Sequence, residues 1–219
     1  MAHEDHIGDR LDHPERVPAD QQHLIADDQQ RVKRILEWPV AGPVLDVGCS
    51  DGAITRRIAA RYPAATVWGT DLDIPTDRAP DPSLDRVAGW LQWDVRQLLV
   101  VSGDFVDAVY CCEVFEHLTL HEATLALRNI CAVLKPGGDL LVTVPNRYPA
   151  MRYIYGARDR WKWPDHWQTF TAESLSDWLS PHFARLEWVP VYDEDRVYCD
   201  QPVKANESIW LMVRACGRL

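Results

Sequence analysis

Three observations predict an α/β domain whose mostly parallel sheet is covered by helices on both faces. Several short apolar runs are bounded by polar or turn residues, as buried strands are. Helix-like segments alternate with these runs, and this alternation is typical of parallel sheets with crossover helices. The chain has 219 residues, of which 47% are hydrophobic, so it is long enough to bury the core of one such domain.

The predicted elements follow in chain order. A helical run ending near Trp38 predicts a helix over about 21–37. The apolar run 44–47 turns through glycines into the helix-like segment 52–61. Further strands are expected at 66–70, 90–93, 106–112 and 138–144, and further helices at 121–134 and 171–180. Two tail segments, 185–192 and 208–215, are expected to be the last strands, one of them antiparallel, which makes a seven-stranded sheet.

The formal net charge of −10 is unevenly distributed along the chain. Residues 1–30 hold eight acids against Arg10 and Arg16, a charge of −6, which leaves −4 for the rest. We expect a leader and cap helix over 1–40, with the first ten or so residues solvated and disordered. One α/β domain over 41–219 follows, with an insert at about 147–170. An acidic chain disfavours nucleic acid as a partner.

The six cysteines show no metal-ribbon spacing. Cys111 and Cys112 are adjacent on a predicted strand, so their side chains are expected to point to opposite faces. We interpret them as reduced core thiols. No stretch has the length and apolar character of a membrane span, and no signal-peptide pattern is present, so a cytoplasmic protein is expected.

The segment 44–52 reads Val-Leu-Asp-Val-Gly-Cys-Ser-Asp-Gly and predicts a ligand-binding turn. Gly48 and Gly52 let the backbone turn sharply and approach a ligand, while free N–H groups at the next helix start favour a carboxylate or phosphate. A dinucleotide fingerprint requires G-x-G-x-x-G, whereas here Asp46 stands within the motif, where a pyrophosphate would be repelled. Asp46 suits a ligand that carries an ammonium group.

This segment resembles the first motif of the class I S-adenosylmethionine-dependent methyltransferases, an acid followed by Gly-x-Gly-x-Gly, with Ser50 in place of the middle glycine. The resemblance extends over about residues 40–215, through the strand ends at Asp71, Asp94 and Glu113. It implies a Rossmann-like, doubly wound fold and S-adenosylmethionine as cofactor. A doubly wound domain that binds another nucleotide is the alternative.

The resemblance also assigns roles within the cofactor site. Asp46 meets the methionine ammonium, Asp71 accepts the ribose hydroxyls, Asp94 accepts the adenine amino group, and the backbone N–H of Val95 meets a ring nitrogen. The full set that it implies comprises Asp46, Gly48, Cys49, Ser50, Gly52, Asp71, Leu72, Asp94, Val95 and Cys112.

A second pattern, Glu113-Val-Phe-Glu116-His117, follows the fourth predicted strand. If a helical turn begins there, two carboxylates and an imidazole converge at the carboxyl end of the sheet, where α/β proteins bind ligands. Two carboxylates so close require a cation. With the distant His166, the pattern resembles the Glu-x-x-Glu-His plus His site of the metal-dependent small-RNA 2′-O-methyltransferases and of the ubiquinone-biosynthesis O-methyltransferases. That likeness implies that Glu113, Glu116, His117 and His166 bind Mg²⁺, Mn²⁺ or Zn²⁺, with Glu113, His117 and His166 catalytic. The alternative is that His117 acts as a metal-free base or has a structural role.

The acceptor is expected to bind between the fifth strand and the helix that begins near Thr171. Residues 147–167 are locally basic and rich in aromatic side chains. Aromatic faces stack on rings and sugars, and guanidinium groups bind phosphates or carboxylates. Candidate substrate residues are Arg147, Tyr148, Arg158 and Trp163. The alternative is that the aromatic residues cap the core while the basic ones are solvated.

These features predict a methyltransferase that O-methylates a small-molecule or glycan acceptor, such as a sugar, a glycolipid or a natural product. The first alternative is a small-RNA terminal 2′-O-methyltransferase, which the acidic chain opposes. The second is a non-catalytic relative that binds the cofactor, which the intact acid and glycine set opposes. The oligomeric state stays open.

Overall fold

In the described part of the chain, one seven-stranded sheet organises the protein, which confirms the predicted fold class. The computed structural model describes residues 11–12, 14–16, 22–74, 86–97, 104–146, 166–189 and 210–219. The strand order is β3-β2-β1-β4-β5-β7-β6. The strands are β1 (Gly42–Val47), β2 (Ala65–Asp71), β3 (Gly89–Gln92), β4 (Val106–Cys112), β5 (Leu134–Pro145), β6 (Phe183–Trp188) and β7 (Trp210–Arg218).

Helices cover both faces of this sheet. They are α1 (Gln22–Ile35), α2 (Ala53–Arg61), α3 (Leu120–Val133) and α4 (Ala172–Leu179), with 3₁₀ turns at Pro14–Arg16 and Phe115–His117. Buried side chains of α1 and α2 form one core cluster with the sheet, and those of α3 and α4 form the other. Cys111 belongs to the second cluster and Cys112 to the first, so the two thiols point to opposite faces as predicted.

The strand directions place the ligand-binding edge. β1 pairs in parallel with both β2 and β4, so the strand order reverses beside β1. Ligands of doubly wound folds bind outside the carboxyl ends of the strands at such a reversal. β7 is antiparallel to both β5 and β6, which confirms that one of the last two strands runs against the rest. Among the described helices, none has the length and apolar character needed to cross a membrane.

The fifth strand begins earlier than predicted. The expected strand was 138–144, but Leu134, directly after α3, already pairs with Val106. The register then shifts, and Asp139 pairs with Ala108. The extra residues form an irregularity that Gly137 accommodates with φ +78°. The remaining boundaries differ from the predictions by a few residues, as element ends usually do.

Candidate functional site

The turn between β1 and α2 forms as the glycine spacing predicts. Gly48 and Gly52 have φ of +72° and +75°, a region that favours glycine, and Ser50 has φ +48°. The N–H groups of Gly48 and Cys49 both donate to the carbonyl of Thr70, at 2.8 and 3.0 Å, which attaches the turn to the end of β2. Hydrogen bonds within the protein therefore hold this turn in place.

Packing within the protein also requires these glycines, in addition to the sharp turn and the ligand approach that the sequence predicts. A Cβ on Gly52 would lie 2.3 Å from the Trp90 ring, and a Cβ on Gly48 would lie 2.3 Å from Val114 Cγ2. Real Cβ atoms do not approach other atoms so closely. A side chain at Gly52 would therefore displace Trp90, and a side chain at Gly48 would displace Val114.

Asp71, the predicted ribose ligand, is fixed at the end of β2. Its Oδ2 accepts a hydrogen bond from the Ser50 N–H at 2.7 Å, and its Oδ1 accepts one from the Leu72 N–H at 2.7 Å. Each oxygen retains a further lone pair for a ligand hydroxyl. Leu72 is one of the few exposed large apolar side chains among the described residues, beside this carboxylate.

Asp46 is buried beneath the turn, only 2% exposed. The Thr55 hydroxyl donates to Asp46 Oδ2 at 2.6 Å. Burial, with a smaller contribution from the charge of Asp71, raises the pKa of Asp46 to about 7, although the Thr55 hydrogen bond acts in the opposite direction. An ammonium group placed against it would favour the ionised form, so the site is suited to a cationic ligand.

Asp94, the predicted adenine ligand, already has a partner that was not predicted. Arg96 donates to both carboxylate oxygens of Asp94, with Nε to Oδ1 and Nη2 to Oδ2 each at 2.8 Å. Hydrogen bonding from this side chain lowers the pKa of Asp94. Arg96 Nη1 also donates to Glu122 at 2.9 Å, near the start of α3. The neighbouring Val95 is buried in the core.

Cys49 and Cys112, both predicted to line the cofactor site, are buried thiols. Burial raises the pKa of both the Cys49 and the Cys112 thiols well above the usual range. A thiol that stays protonated at neutral pH is a poor nucleophile. Their role is therefore packing.

The second pattern forms a turn directly after β4. Glu113 has φ +58°, which is uncommon for a residue with a side chain. Its N–H donates to the Thr143 carbonyl at 2.9 Å, and its Oε1 accepts a hydrogen bond from the Thr143 hydroxyl at 2.8 Å. Glu116 and His117 follow in the 3₁₀ turn Phe115–His117.

The structure brings Glu116, His117 and His166 together. One ligand atom of each lies within 4.8 Å of the other two, and the two imidazole rings are perpendicular with centroids 4.7 Å apart. The chain after His166 is attached to the 3₁₀ turn, because the Trp167 N–H donates to the Glu116 carbonyl and Gln168 Nε2 donates to the Phe115 carbonyl, both at 2.8 Å. These backbone contacts explain how two segments about 50 residues apart in sequence meet.

Glu116 is the buried acid of this cluster, 1% exposed, and its Oε2 accepts no hydrogen bond from the described residues. Burial raises the pKa of Glu116 well above its usual value, and the charge of Glu113 raises it further. A buried carboxylate oxygen without a donor beside two imidazoles suits a metal cation, which would supply the missing positive charge. The three side chains therefore fit a divalent ion.

Glu113, the fourth predicted ligand, is outside this group, although its side chain hydrogen-bonds to that of Glu116. Arg31 Nη1 lies 3.1 Å from Glu113 Oε1, and Arg31 Nη2 donates to Asp28 at 3.0 Å. Burial raises the pKa of Glu113, and the charge of Arg31 makes the largest contribution in the opposite direction. The sequence interpretation missed Arg31 and Asp28. The signal was available, since they are three residues apart on the helix that also presents Val32 and Ile35 to the core.

The predicted substrate residues Arg147, Tyr148, Arg158 and Trp163 lie outside the described part of the chain, so their role stays a prediction. The structure describes the residues at either end of that segment. Asn146 is fully buried at the end of β5 and forms a bridge with Phe170. Trp167, next to His166, is 68% exposed.

Comparisons with known proteins agree with this geometry. Residues 44–138 match a family described as a methyltransferase domain. The chain is 30% identical over 194 residues to a trans-aconitate 2-methyltransferase of Azoarcus sp. (strain BH72), covering 80% of this chain and 72% of that protein. It is 29% identical over 161 residues to a ubiquinone biosynthesis O-methyltransferase of Xanthomonas axonopodis pv. citri (strain 306), covering 68% of this chain and 65% of that protein.

A solved structure shares the fold. The magnesium protoporphyrin IX methyltransferase of Synechocystis PCC 6803, with bound S-adenosylhomocysteine, superimposes with a TM-score of 0.66 at 16% identity, covering 92% of this chain and 89% of that one. The chain belongs to the class I S-adenosylmethionine-dependent methyltransferases. It is an enzyme whose cofactor is S-adenosylmethionine.

Proposed function

We propose that the enzyme transfers the methyl group to an oxygen of a small hydroxylated acceptor, such as a sugar, a glycolipid or a natural product, with the help of a divalent metal. The observation that carries this proposal is the cluster of Glu116, His117 and His166 at the carboxyl end of β4. A hydroxyl is a weak nucleophile until its proton is removed or its pKa is lowered. A metal-binding cluster beside the cofactor site supports this role.

The chain's own residues position the two reactants. Asp46 and Asp71 hold the ammonium and ribose ends of the cofactor, and the turn 48–52 holds its carboxylate end. Bound S-adenosylmethionine would supply an electrophilic methyl group for in-line attack by the acceptor oxygen, with S-adenosylhomocysteine as the leaving group. Since that step needs little beyond alignment and deprotonation, positioning provides most of the acceleration.

The metal-binding residues would act on the acceptor hydroxyl. Glu116, His117 and His166 provide one carboxylate oxygen and two imidazole nitrogens, a set that suits Mn²⁺ or Zn²⁺ better than Mg²⁺, which prefers oxygen ligands. A divalent ion there would supply a Lewis acid that lowers the pKa of the hydroxyl. Without a metal, His117 is placed to accept the proton itself.

The relatives support oxygen as the methylated atom. Ubiquinone biosynthesis O-methyltransferases are named for this chemistry, and the chain resembles one of them over about two thirds of its length. The net charge of −10 opposes a polyanionic acceptor such as RNA. The small hydroxylated acceptor is therefore the proposal, and RNA is tested as its competitor.

The test measures methyl transfer from labelled cofactor to a panel of phenols, sugars, glycolipids, short RNA duplexes and trans-aconitate. We expect a hydroxylated small molecule to be methylated, with activity lost in EDTA and restored by Mn²⁺ or Zn²⁺. His166→Ala should reproduce the chelated enzyme, while the control His182→Ala, at the end of α4, should behave as wild type. Full activity in EDTA would remove the metal and leave His117 as the base. Transfer to RNA, or to trans-aconitate alone, would overturn the acceptor class.

A further inference from the structure

Arg31 connects the helix α1 to the turn after β4 that begins at Glu113, through contacts that no part of the proposed reaction explains. Its side chain is 3% exposed and lies between two carboxylates, Asp28 on its own helix and Glu113 at the end of β4. Its guanidinium group also lies over the Trp210 ring, 4.4 Å from the centroid, at the start of β7. A buried arginine in this arrangement fixes the groups that it touches, because its planar fork and its charge both restrict their geometry.

Glu113 is fixed by several contacts at once. Its backbone has a positive φ, which persists only where the surroundings hold it. Thr143 binds both its N–H, through a carbonyl, and its Oε1, through a hydroxyl. Arg31 lies against the same Oε1 at 3.1 Å. The carboxylate is therefore attached to β5 and α1.

The Glu113 side chain hydrogen-bonds to that of Glu116, yet Glu113 is not itself part of the candidate metal-binding group. Among the described residues, the grouping of ligand atoms within 4.8 Å contains Glu116, His117 and His166, and it does not contain Glu113. Glu113 is only three residues from Glu116, so sequence distance does not explain its absence from the group. The ion pair with Arg31 does, because leaving it would remove one of the two carboxylates that lie against this buried arginine.

We propose that Arg31 is a positioning residue that keeps Glu113 out of the metal-binding group, so that the chain offers a metal three ligands and not four. The inference rests on the metal site of the proposed function. Three protein ligands leave additional coordination positions open for the acceptor, which is the arrangement of catalytic metal sites. The helix α1 then has a second role beside covering the sheet, since it determines which acid can reach the metal.

The experiment compares two isosteric substitutions in the full chain, Glu116→Gln and Glu113→Gln, with Co²⁺ as the spectroscopic probe. Titration is followed by the visible absorption of bound Co²⁺, whose shape reports the ligand set. Glu116→Gln should raise the Co²⁺ dissociation constant at least tenfold and change the spectrum. Glu113→Gln should change the constant less than threefold and leave the spectrum as in the wild type. Equal weakening by both substitutions would overturn the proposal.

Arg31→Met tests the mechanism directly. Releasing Glu113 should tighten Co²⁺ binding about tenfold and shift the spectrum towards a higher coordination number, and adding Glu113→Gln to the same protein should reverse both changes. Arg34→Met is the matched control, since Arg34 is on the same helix and pairs with the exposed Glu37. Binding of S-adenosylhomocysteine by each variant verifies the fold. If Arg31→Met does not fold, the two glutamine variants decide the question.

The outcomes separate this inference from the proposed function. Wild-type binding of Co²⁺ with no change in Arg31→Met would overturn the inference and leave the metal site in place. Absence of Co²⁺ binding in the wild type and in Arg31→Met would overturn both. Binding that is gained only in Arg31→Met would support the exclusion of Glu113 and overturn the metal-assisted reaction of the native enzyme.

Discussion

The buried carboxyl of Asp46 makes cofactor binding and stability depend on pH in opposite directions. Its pKa is raised from 3.8 to about 7, mainly by burial. Between these values the folded protein retains a proton that the unfolded chain has lost, so stability falls as pH rises from about 4 to about 7. A tenfold change in an ionisation constant is about 1.4 kcal/mol, so the full loss is about 4 kcal/mol, of which about 3 lies between pH 5 and pH 8.

Asp46→Asn removes this dependence while keeping an oxygen that accepts from the Thr55 hydroxyl. Without cofactor, the wild type should lose about 3 kcal/mol more than the variant between pH 5 and pH 8, measured by urea unfolding. Affinity for S-adenosylhomocysteine should instead increase with pH in the wild type, because the ligand ammonium pairs with the ionised carboxylate. Wild-type affinity should rise about tenfold from pH 6 to pH 7.5, while that of Asp46→Asn should be weaker and nearly constant.

Calorimetric titration at four or five pH values measures the second effect. Parallel affinity profiles for the two proteins would show that Asp46 does not meet the ammonium group. Parallel stability profiles would show that the carboxyl is not desolvated as the structure indicates. The two measurements are independent, so each part of the reasoning can fail alone.

Two further predictions concern the ribose and acceptor sites. Asp71→Ala should weaken binding of S-adenosylhomocysteine by about 2 kcal/mol, because the ribose hydroxyls and the Ser50 N–H both lose a charged acceptor. The control Asp73→Ala should bind as the wild type does, and calorimetry that shows equal affinity for Asp71→Ala and the wild type would contradict the assignment. Trp163→Ala and Arg158→Ala should raise the acceptor KM or lower kcat without changing cofactor affinity, whereas the control Arg185→Ala on β6 should leave KM and kcat unchanged. Steady-state kinetics that show no effect of Trp163→Ala or Arg158→Ala would place acceptor recognition elsewhere.

The sequence predicted the parts of the fold that depend on local patterns. The turn after β1, the acid at the end of β2 and the alternation of strands and helices are each set by neighbouring residues, and the structure confirms the architecture that they imply. The meeting of His117 and His166 was predicted only from a family resemblance. It depends on backbone hydrogen bonds between Trp167 and Glu116, which no local pattern reveals.

The sequence interpretation did not identify the partners of the predicted acids. Asp94 is bound by Arg96, and Glu113 is bound by Arg31, which lies more than 80 residues away. An acid in a motif shows that a charge is required, whereas the choice between a ligand and an internal counter-ion depends on which basic side chain the fold brings to it. The packing of Trp90 against Gly52 could not be predicted from local sequence either, because such contacts form only in the assembled core.

The boundary at residue 40 stays a prediction, and we expect the helix before it, α1, to be needed for the stability of the domain. Val32, Ile35 and Trp38 are buried in the same core cluster as Ile58 and Tyr110. Burial of a large apolar side chain contributes about 1.5 to 3 kcal/mol, so these three contribute about 5 to 9 kcal/mol, comparable with the whole stability of a typical domain at about 5 to 15 kcal/mol. A chain starting at residue 42 should therefore fail to unfold cooperatively and should not bind S-adenosylhomocysteine, whereas a chain starting at residue 11 should do both. Circular dichroism during heating measures the difference, and a cooperative transition in the shorter chain would show that α1 is a removable cap.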